Sequence, residues 1–344
     1  MTPSLDTDDR AQLLLVGAVV LALIILGLTT VTNTVLFTEN TGPGEATAET
    51  NTVEQFDYEG TISAKSIILR VNHAERNVTT SDVNATVNGE MSAYSAALAR
   101  SYASGGSAFV SVNYTGIERN ATRIVQAVDR NFTYNASHSG SVTDDAADWT
   151  PLPDGERTGI GWFALNVNLA NTSGAPATIT IQNATGDRLE YTLNRSGGGS
   201  GSNLTIQVEQ PSSGLSEETS CGSTGGRVSV LLHRGVGALG DCEFPSVSTI
   251  EPPYSVSISD GDRIAGQYEI VANRTWHSNS RRLDAAVGGS TEPYPNCVDA
   301  GVQPPCLSSV VWTGEISLQY ISSTVEFSAN KTIDVYDAAT GTGL

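Results

Sequence analysis

The chain reads as a mainly β protein: an antiparallel, β-sandwich-like ectodomain, preceded by one or two amphipathic helices and, ahead of those, by a transmembrane helix. Three observations predict this. Between Arg10 and Glu39 the segment Ala11–Thr38 carries no ionisable side chain and opens with the apolar run Leu13–Leu28. From residue 61 to residue 104 apolar residues recur every three or four positions, and beyond Ser107 the period drops to two. About ten short alternating stretches follow, joined by turn residues without helical stretches between them, which favours an antiparallel sandwich over a parallel α/β sheet. The predicted boundaries are a cytoplasmic leader (1–10), a transmembrane or pilin-like helix (11–38), an acidic stalk (39–60), amphipathic helices (61–104), the sandwich (105–338) and a tail (339–344).

At about 1.5 Å of rise per residue, Ala11–Thr38 is long enough to cross a hydrocarbon core. It does not read as a cleaved secretory signal, because the long apolar run passes into Thr29, Thr30, Thr32, Asn33 and Thr34 with no small-residue cleavage site. The leader, with Asp6, Asp8 and Asp9 against Arg10, gives the positive-inside rule little to act on. Orientation follows instead from what lies downstream. Twelve N-x-[S/T] sequons, at Asn77, Asn84, Asn113, Asn120, Asn131, Asn135, Asn171, Asn183, Asn194, Asn203, Asn273 and Asn330, and all the cysteines are C-terminal to the apolar segment. Together they put the body outside, with the N-terminus cytoplasmic.

Past the segment, Gly42-Pro43-Gly44 breaks the chain, and the stalk is expected to regain a helical turn only near Val53 and Phe56. Ala64, Ile67, Ile68, Val71 and Ala74 then fall at helical spacing, with Asn77 as a stop; the compact run Ile67-Ile68-Leu69 leaves a strand as the alternative. Val83, Val87, Met91, Tyr94, Leu98 and Tyr102 define a second helix, with Ser81 as N-cap and Gly105-Gly106 as its end. Strands are predicted over Ala108–Tyr114, over Arg123–Ala127 and around Phe163, Leu165 and Val167. The next pair, Ile179/Ile181 and Leu189/Tyr191/Leu193, is joined by the hairpin turn Asn183-Ala184-Thr185-Gly186. Others follow at Leu204–Val208, Val228–Leu232, Tyr254–Ile258, Gln267–Ala272, Val310–Ile321 and Thr324–Tyr336. The Gly-rich stretch Ser196–Ser202 is a turn and not a phosphate loop, since neither a lysine nor a helix start follows.

Net charge narrows the partners. The chain holds 18 basic and 37 acidic residues, a formal charge of −19, spread along its length, and Lys65 and Lys331 are the only lysines. No basic patch is available for phosphate backbones, so nucleic acid is excluded as a partner. Such a charge suits concentrated salt and repels itself in dilute buffer. The ectodomain is accordingly expected to unfold when salt falls from molar to about 0.1 M, and a melting temperature indifferent to salt would contradict the reading.

Cys221, Cys242, Cys297 and Cys306 form no C-x-x-C pair and have no histidine at zinc-ligand spacing, so two disulfides are expected, by preference the local pairs 221–242 and 297–306. Catalytic signatures are missing: His73, His138, His233 and His277 sit in no metalloprotease motif, and there is no nucleophile elbow or Walker sequence. His73 is placed on a helix and His233 at a strand end, each as a satisfied or solvent-facing imidazole. Asp260-Gly261-Asp262 offers hard oxygens for calcium but equally ordinary turn chemistry, and Asp144, Asp145 and Asp148 read as a solvated loop. Trp149, Trp162, Trp276 and Trp312 are too dispersed to suggest a sugar platform, and most are expected to fill the sandwich. No cofactor, no metal and no catalytic residue is predicted.

Arg10-Ala11-Gln12, a short polar leader meeting a long helix, resembles the processing site of archaeal pilins and archaellins, although the acidic residue those chains carry early in the helix is missing. The wider run Arg10-Ala11-Gln12-Leu13-Leu14-Leu15-Val16-Gly17, the paired helices, the cysteine-flanked strand, Pro252-Pro253-Tyr254 and Gly266-Gln267-Tyr268 resemble a family of haloarchaeal, single-anchor, pilin-like surface proteins. The resemblance implies export, a β-rich ectodomain and association with pilus-type machinery or envelope proteins; it carries no activity and no functional residues. The expected function is therefore that of a non-enzymatic, membrane-anchored surface protein acting through protein contacts, with a surface ligand-binding module for glycans or ions as the alternative.

Overall fold

The computed structural model describes residues 44–74, 79–105, 108–134, 146–154, 158–197, 202–275, 284–287, 290–293 and 305–336. The candidate processing residues Arg10, Ala11 and Gln12, the apolar segment, the tail, Cys297, Trp276, Asp144, Asp145, Asn77 and Asn135 lie outside them. Two helices, α1 (Gly44–Ala74) and α2 (Thr80–Gly105), precede fifteen strands. The first eight strands are β1 (Phe109–Asn131), β2 (Trp149–Leu152), β3 (Ile160–Asn168), β4 (Ala177–Asn183), β5 (Arg188–Ser196), β6 (Asn203–Gln210), β7 (Leu215–Cys221) and β8 (Arg227–Leu231). The remainder are β9 (Val236–Gly237), β10 (Tyr254–Ser259), β11 (Ala265–Ala272), β12 (Asp284–Val287), β13 (Ser290–Pro293), β14 (Cys306–Ile321) and β15 (Glu326–Asp334).

The strands form two antiparallel sheets, one ordered β15-β14-β1-β11-β3-β8-β9 and the other β13-β12-β2-β10-β4-β5-β6-β7. Their facing sides enclose one core. Phe163, Leu165 and Val167 of β3, Val228 and Val230 of β8, and Tyr268 and Ile270 of β11 meet Ile179 and Ile181 of β4, Leu189, Tyr191 and Leu193 of β5, and Leu204, Ile206 and Val208 of β6. These residues alternate along their strands with half-exposed polar ones, the expected signature of a sheet buried on one side. Each such burial contributes about 1.5–3 kcal/mol, so this β-sandwich-like body is the main source of stability.

A second core lies elsewhere. β1 has 23 residues and β14 has 16, more than the sandwich alone uses. The first half of β1, the second half of β14 and β15 extend as a three-stranded wing, one face of which is covered by α1 and α2. Val110, Val112, Tyr114, Ile316, Leu318 and Tyr320 pack there against Phe56, Ala64, Ile68 and Val71 of α1 and Val83, Val87 and Met91 of α2.

Several elements differ from the expectation. The acidic stalk is largely helical, since α1 begins at Gly44 and runs 31 residues. Its buried stripe, Val53, Phe56, Gly60, Ala64, Ile68 and Val71, keeps steps of three or four, but Gly60 leaves a blank in the pattern where Leu318 packs close enough to meet any added Cβ at 3.1 Å. The strand alternative for Ile67-Ile68-Leu69 is replaced by the same helix. The N-cap of α2 is Thr79 and not Ser81. Thr79 Oγ1 lies 2.8 Å from Asp82 Oδ2, and that carboxylate accepts the Thr79 N–H at 3.2 Å, a capping box closed by aspartate. The two strands predicted over 108–127 are one, the gap between them being a stretch of register shifts from Tyr114 to Asn120 that scrambles the alternation. β2, β7, β9, β12 and β13 are unforeseen. β7, with the sequence LSEETSC, is an edge strand whose exposed Glu217 and Glu218 guard it against further pairing, and that polarity hides it from a hydrophobicity reading.

Candidate functional site: a charged and aromatic seam between helix and sheet

The C-terminal end of α1 crosses the outer face of the first sheet, and the only described buried cluster of ionised groups gathers there. Alternation puts Glu269 of β11 and Trp162 of β3 on this outer face, between the core residues Tyr268 and Ile270 and beside Phe163. Arg123 of β1 pairs in register with Val271, two residues from Glu269 and so on the same face. His73 comes down on them from the last turn of α1. Both Glu269 oxygens are engaged. Oε1 lies 2.5 Å from His73 Nδ1 and 2.6 Å from Arg123 Nε, and Oε2 accepts from Arg123 Nη2 at 3.1 Å. Arg123 also donates to the His73 carbonyl at 3.0 Å, so one guanidinium ties the helix end to the sheet. Burial alone would raise the Glu269 carboxyl, but the His73 hydrogen bond and the Arg123 charge outweigh it and hold the group below its ordinary value, hence ionised.

Asn72 supplies an uncharged second tie. Its Oδ1 accepts the Val311 N–H at 2.9 Å, and its Nδ2 donates to the Val311 carbonyl at 2.8 Å and to the Tyr336 hydroxyl at 3.1 Å. One side-chain amide thus serves β14 as a neighbouring strand's peptide would. Aromatic rings wall the seam: Trp162 lies 4.6 Å from both His73 and His233, and Trp312 lies 5.2 Å from Tyr336. Gly161 permits this, for a Cβ there would collide with Tyr336 and Trp312. Burial pushes His233 down to about 4 and so keeps it neutral at pH 7, with Nδ1 3.2 Å from the Phe163 amide nitrogen. A neutral imidazole, a doubly paired carboxylate and a wall of rings make a clamp. His73 Nε2 is buried without a hydrogen-bond partner among the described residues.

The residues singled out in the sequence are dispersed around this seam and not gathered in it, His73, His233, Trp162 and Trp312 excepted. Cys221 and Cys242 form a disulfide, as expected, with Cα atoms 5.2 Å apart, and both line the sandwich core. Cys306 opens β14 and is disulfide-bonded; its expected partner Cys297 is outside the described residues. Of the sequons, Asn84, Asn113, Asn171 and Asn330 are exposed, while Asn120, Asn131, Asn194, Asn203 and Asn273 are half-buried. Asn183 differs from the other described sequon asparagines in being buried. It is 2 % exposed, and its Oδ1 accepts from Thr185 N, Thr185 Oγ1 and Asp187 N, the residue being spent on the hairpin turn.

Asp260-Gly261-Asp262 is turn chemistry: Asp260 is left-handed at φ 55°, its N–H is accepted by Asp148 Oδ1, and no metal-holding group of acidic, histidine or cysteine residues occurs among the described residues. Trp149 fills the sandwich as expected, whereas Trp312 is buried in the second core and Trp162 is half-exposed within the seam, so the described tryptophans form no exposed row. Two of the motifs that carried the resemblance, Pro252-Pro253-Tyr254 and Gly266-Gln267-Tyr268, serve packing. At Gly266 a Cβ would strike the Asn166 carbonyl of β3, Gln267 donates to the Ala127 carbonyl at 2.8 Å, and the Tyr254 hydroxyl donates to the Ile250 carbonyl at 2.8 Å.

These features define a β-sandwich-like body carrying a clamped helical hairpin on one sheet. Residues 7–152 match the profile of a family of unknown function, DUF7261. That match takes in both helices, β1 and β2, and with them His73 and Arg123, whereas Glu269, Trp162, His233 and Tyr336 lie beyond it. No curated protein and no solved structure gives a significant match to the chain. Among the described residues no helix is long and apolar enough to cross a membrane.

Proposed function

We propose that the protein is a non-enzymatic, membrane-anchored surface component of a halophilic archaeon, pilin-like or part of the envelope, that works through protein contacts. The observation that carries the reading is Ala11–Thr38, a segment free of ionisable side chains that is followed within six residues by the start of α1. Anchored there, the chain would lead into a helix that lies along the body and is clamped to it at His73 and Asn72, so a pull that reaches α1 is transmitted to the sheet. The Cys221–Cys242 disulfide supports an oxidising exterior.

The test uses the full-length protein in cells that make it. The protein is expected in the alkali-resistant membrane fraction, with its body cleaved by protease added to intact cells, and deletion of residues 11–38 should release it. Recovery in the soluble cytoplasm overturns the reading. Mass spectrometry of the mature N-terminus then divides its two forms. A first residue of Ala11 or Gln12, together with recovery in sheared filaments, supports a pilin-like subunit; an intact leader supports a permanent envelope anchor.

A further inference from the structure

The wing formed by β1, β14 and β15 has helices on one face only. Its other face is open, and alternation fills the middle of it with uncharged polar groups: Ser111, Gln319 and Ser328 form one cross-strand row, and Asn113, Ser317 and Asn330 the next, with Glu326 and Glu315 on the rows to either side. Both asparagines of the second row begin sequons, Asn113-Tyr114-Thr115 and Asn330-Lys331-Thr332, and in both the asparagine and the threonine are exposed. An extended strand turns residues i and i+2 to the same side, so each carboxamide is presented beside its own hydroxyl. The remaining exposed sequons lack this presentation. On α2 the Asn84 and Thr86 side chains diverge by about 200° around the helix axis. In the turn after β3, Thr172 is buried and the Ser173 hydroxyl is taken by the Ala175 N–H.

We infer that Asn113 and Asn330 carry N-linked glycans, set side by side two strands or about 10 Å apart, and that the open face of the wing is a sugar-bearing surface. This rests on the exterior location proposed above. In the transfer, the side-chain nitrogen forms a bond to the anomeric carbon of a lipid-linked sugar phosphate, the anomeric C–O bond breaks, the phosphate leaves with the electron pair and the amide proton is released. The donor and the transferase are supplied by the cell. The face suits the modification. It buries nothing, and the helix-covered side, which does, has none of the exposed strand sequons.

The experiment is glycopeptide mass spectrometry on the full-length protein purified from the membranes of its own cells, with protease accessibility of the body measured in parallel. Peptides bearing Asn113 and Asn330 should both be glycosylated. Asn113→Gln and Asn330→Gln should each increase electrophoretic mobility by one step and the double variant by two. Thr332→Ala should reproduce the Asn330→Gln shift and Thr332→Ser should not, which separates loss of a glycan from loss of a fold. Asn183→Gln should leave mobility unchanged. A protease-accessible body with Asn113 and Asn330 unmodified overturns this inference while leaving the exterior location intact, and modification of only one overturns the paired surface. A protease-inaccessible, unmodified body overturns both.

Discussion

One strand, β1, passes through two environments. At Ile124 it contributes to the core between its own sheet and the second one, a core of aliphatic and aromatic residues that also holds the Cys221–Cys242 disulfide. Over Val110 to Tyr114 one face is covered by α1 and α2 while the other meets water. In the sandwich, adhesion is spread over some dozens of interchangeable apolar contacts and no single one decides it. The helix layer rests instead on a short apolar stripe supplemented by directional ties: Arg123 and His73 to Glu269, Asn72 to Val311, and Lys331 Nζ to Asp57 Oδ2 at 2.6 Å. The body is robust to small changes, and the layer that leads toward the anchor is held by few residues.

The sharpest way to break this contrast is to remove one ion of the seam. Glu269→Ala leaves the Arg123 guanidinium, with 5 % of its side chain exposed, without its carboxylate, a loss that typically costs about 3–5 kcal/mol. Hydrogen exchange should show α1 losing protection before β4–β6 do. Equal loss in both regions would show that the helix layer and the sandwich are one cooperative unit.

Removing the Cys221–Cys242 disulfide tests the other side of the comparison. The bridge closes a span of 21 residues around β8 and β9, and the loop-closure scale gives about 3 kcal/mol for a loop of that size. The double Cys→Ala variant should lower the unfolding free energy extrapolated from denaturant titration by that amount, with exchange rising at β7–β9 and α1 keeping its contrast with the rest of the body. A change concentrated in α1 would reverse the assignment of regions.

Acid should reach the two regions through one residue. His233 titrates near 4 in the folded chain against an ordinary 6.5, so between those values the unfolded chain binds the proton and the folded chain does not. Stability is then complete above about pH 6.5 and falls as pH drops toward 4, by about 2–3 kcal/mol after allowing for its partial exposure. Glu269, also held below its ordinary value, adds loss in the same direction at lower pH, as its own folded-state value is crossed. Urea titrations at pH 7 and pH 4.5 measure the difference. His233→Asn keeps a polar atom near the Phe163 amide and should flatten the dependence above pH 4.5; a slope unchanged in that variant would assign the acid sensitivity elsewhere.

The sandwich was largely legible because its signal is local. Phe163, Leu165 and Val167, or Leu204, Ile206 and Val208, announce their face within one strand, and the Asn183–Gly186 turn announces its hairpin. The seam was not, because its meaning is carried by pairs far apart in the chain. Glu269 reads as an outward polar residue between Tyr268 and Ile270, which it is; only the fold brings His73, 196 residues away, onto it. Arg123 at the head of an apolar run and Trp162 just after Gly161 were faint signals, a charge and a large ring on a face otherwise polar. The missed start of α1 has a simpler cause, since Gly60 is buried by virtue of having no side chain and so erases the period that would have revealed the helix.

The smallest expected effect concerns the other helix. Thr79 caps α2 through Oγ1, which meets Asp82 Oδ2 at 2.8 Å and the Asp82 N–H at 3.4 Å, on an exposed part of the helix layer. Thr79→Ala removes both contacts and leaves the backbone N–H of residue 79 bonded to Asp82, so the loss should be about 1 kcal/mol. Thr79→Ser, which keeps the oxygen, should restore most of it. If the helix layer opens separately from the sandwich, the loss will appear in exchange at the first turns of α2 and hardly in the global melting temperature. Should melting temperature fall in full proportion, α2 and the sandwich unfold together.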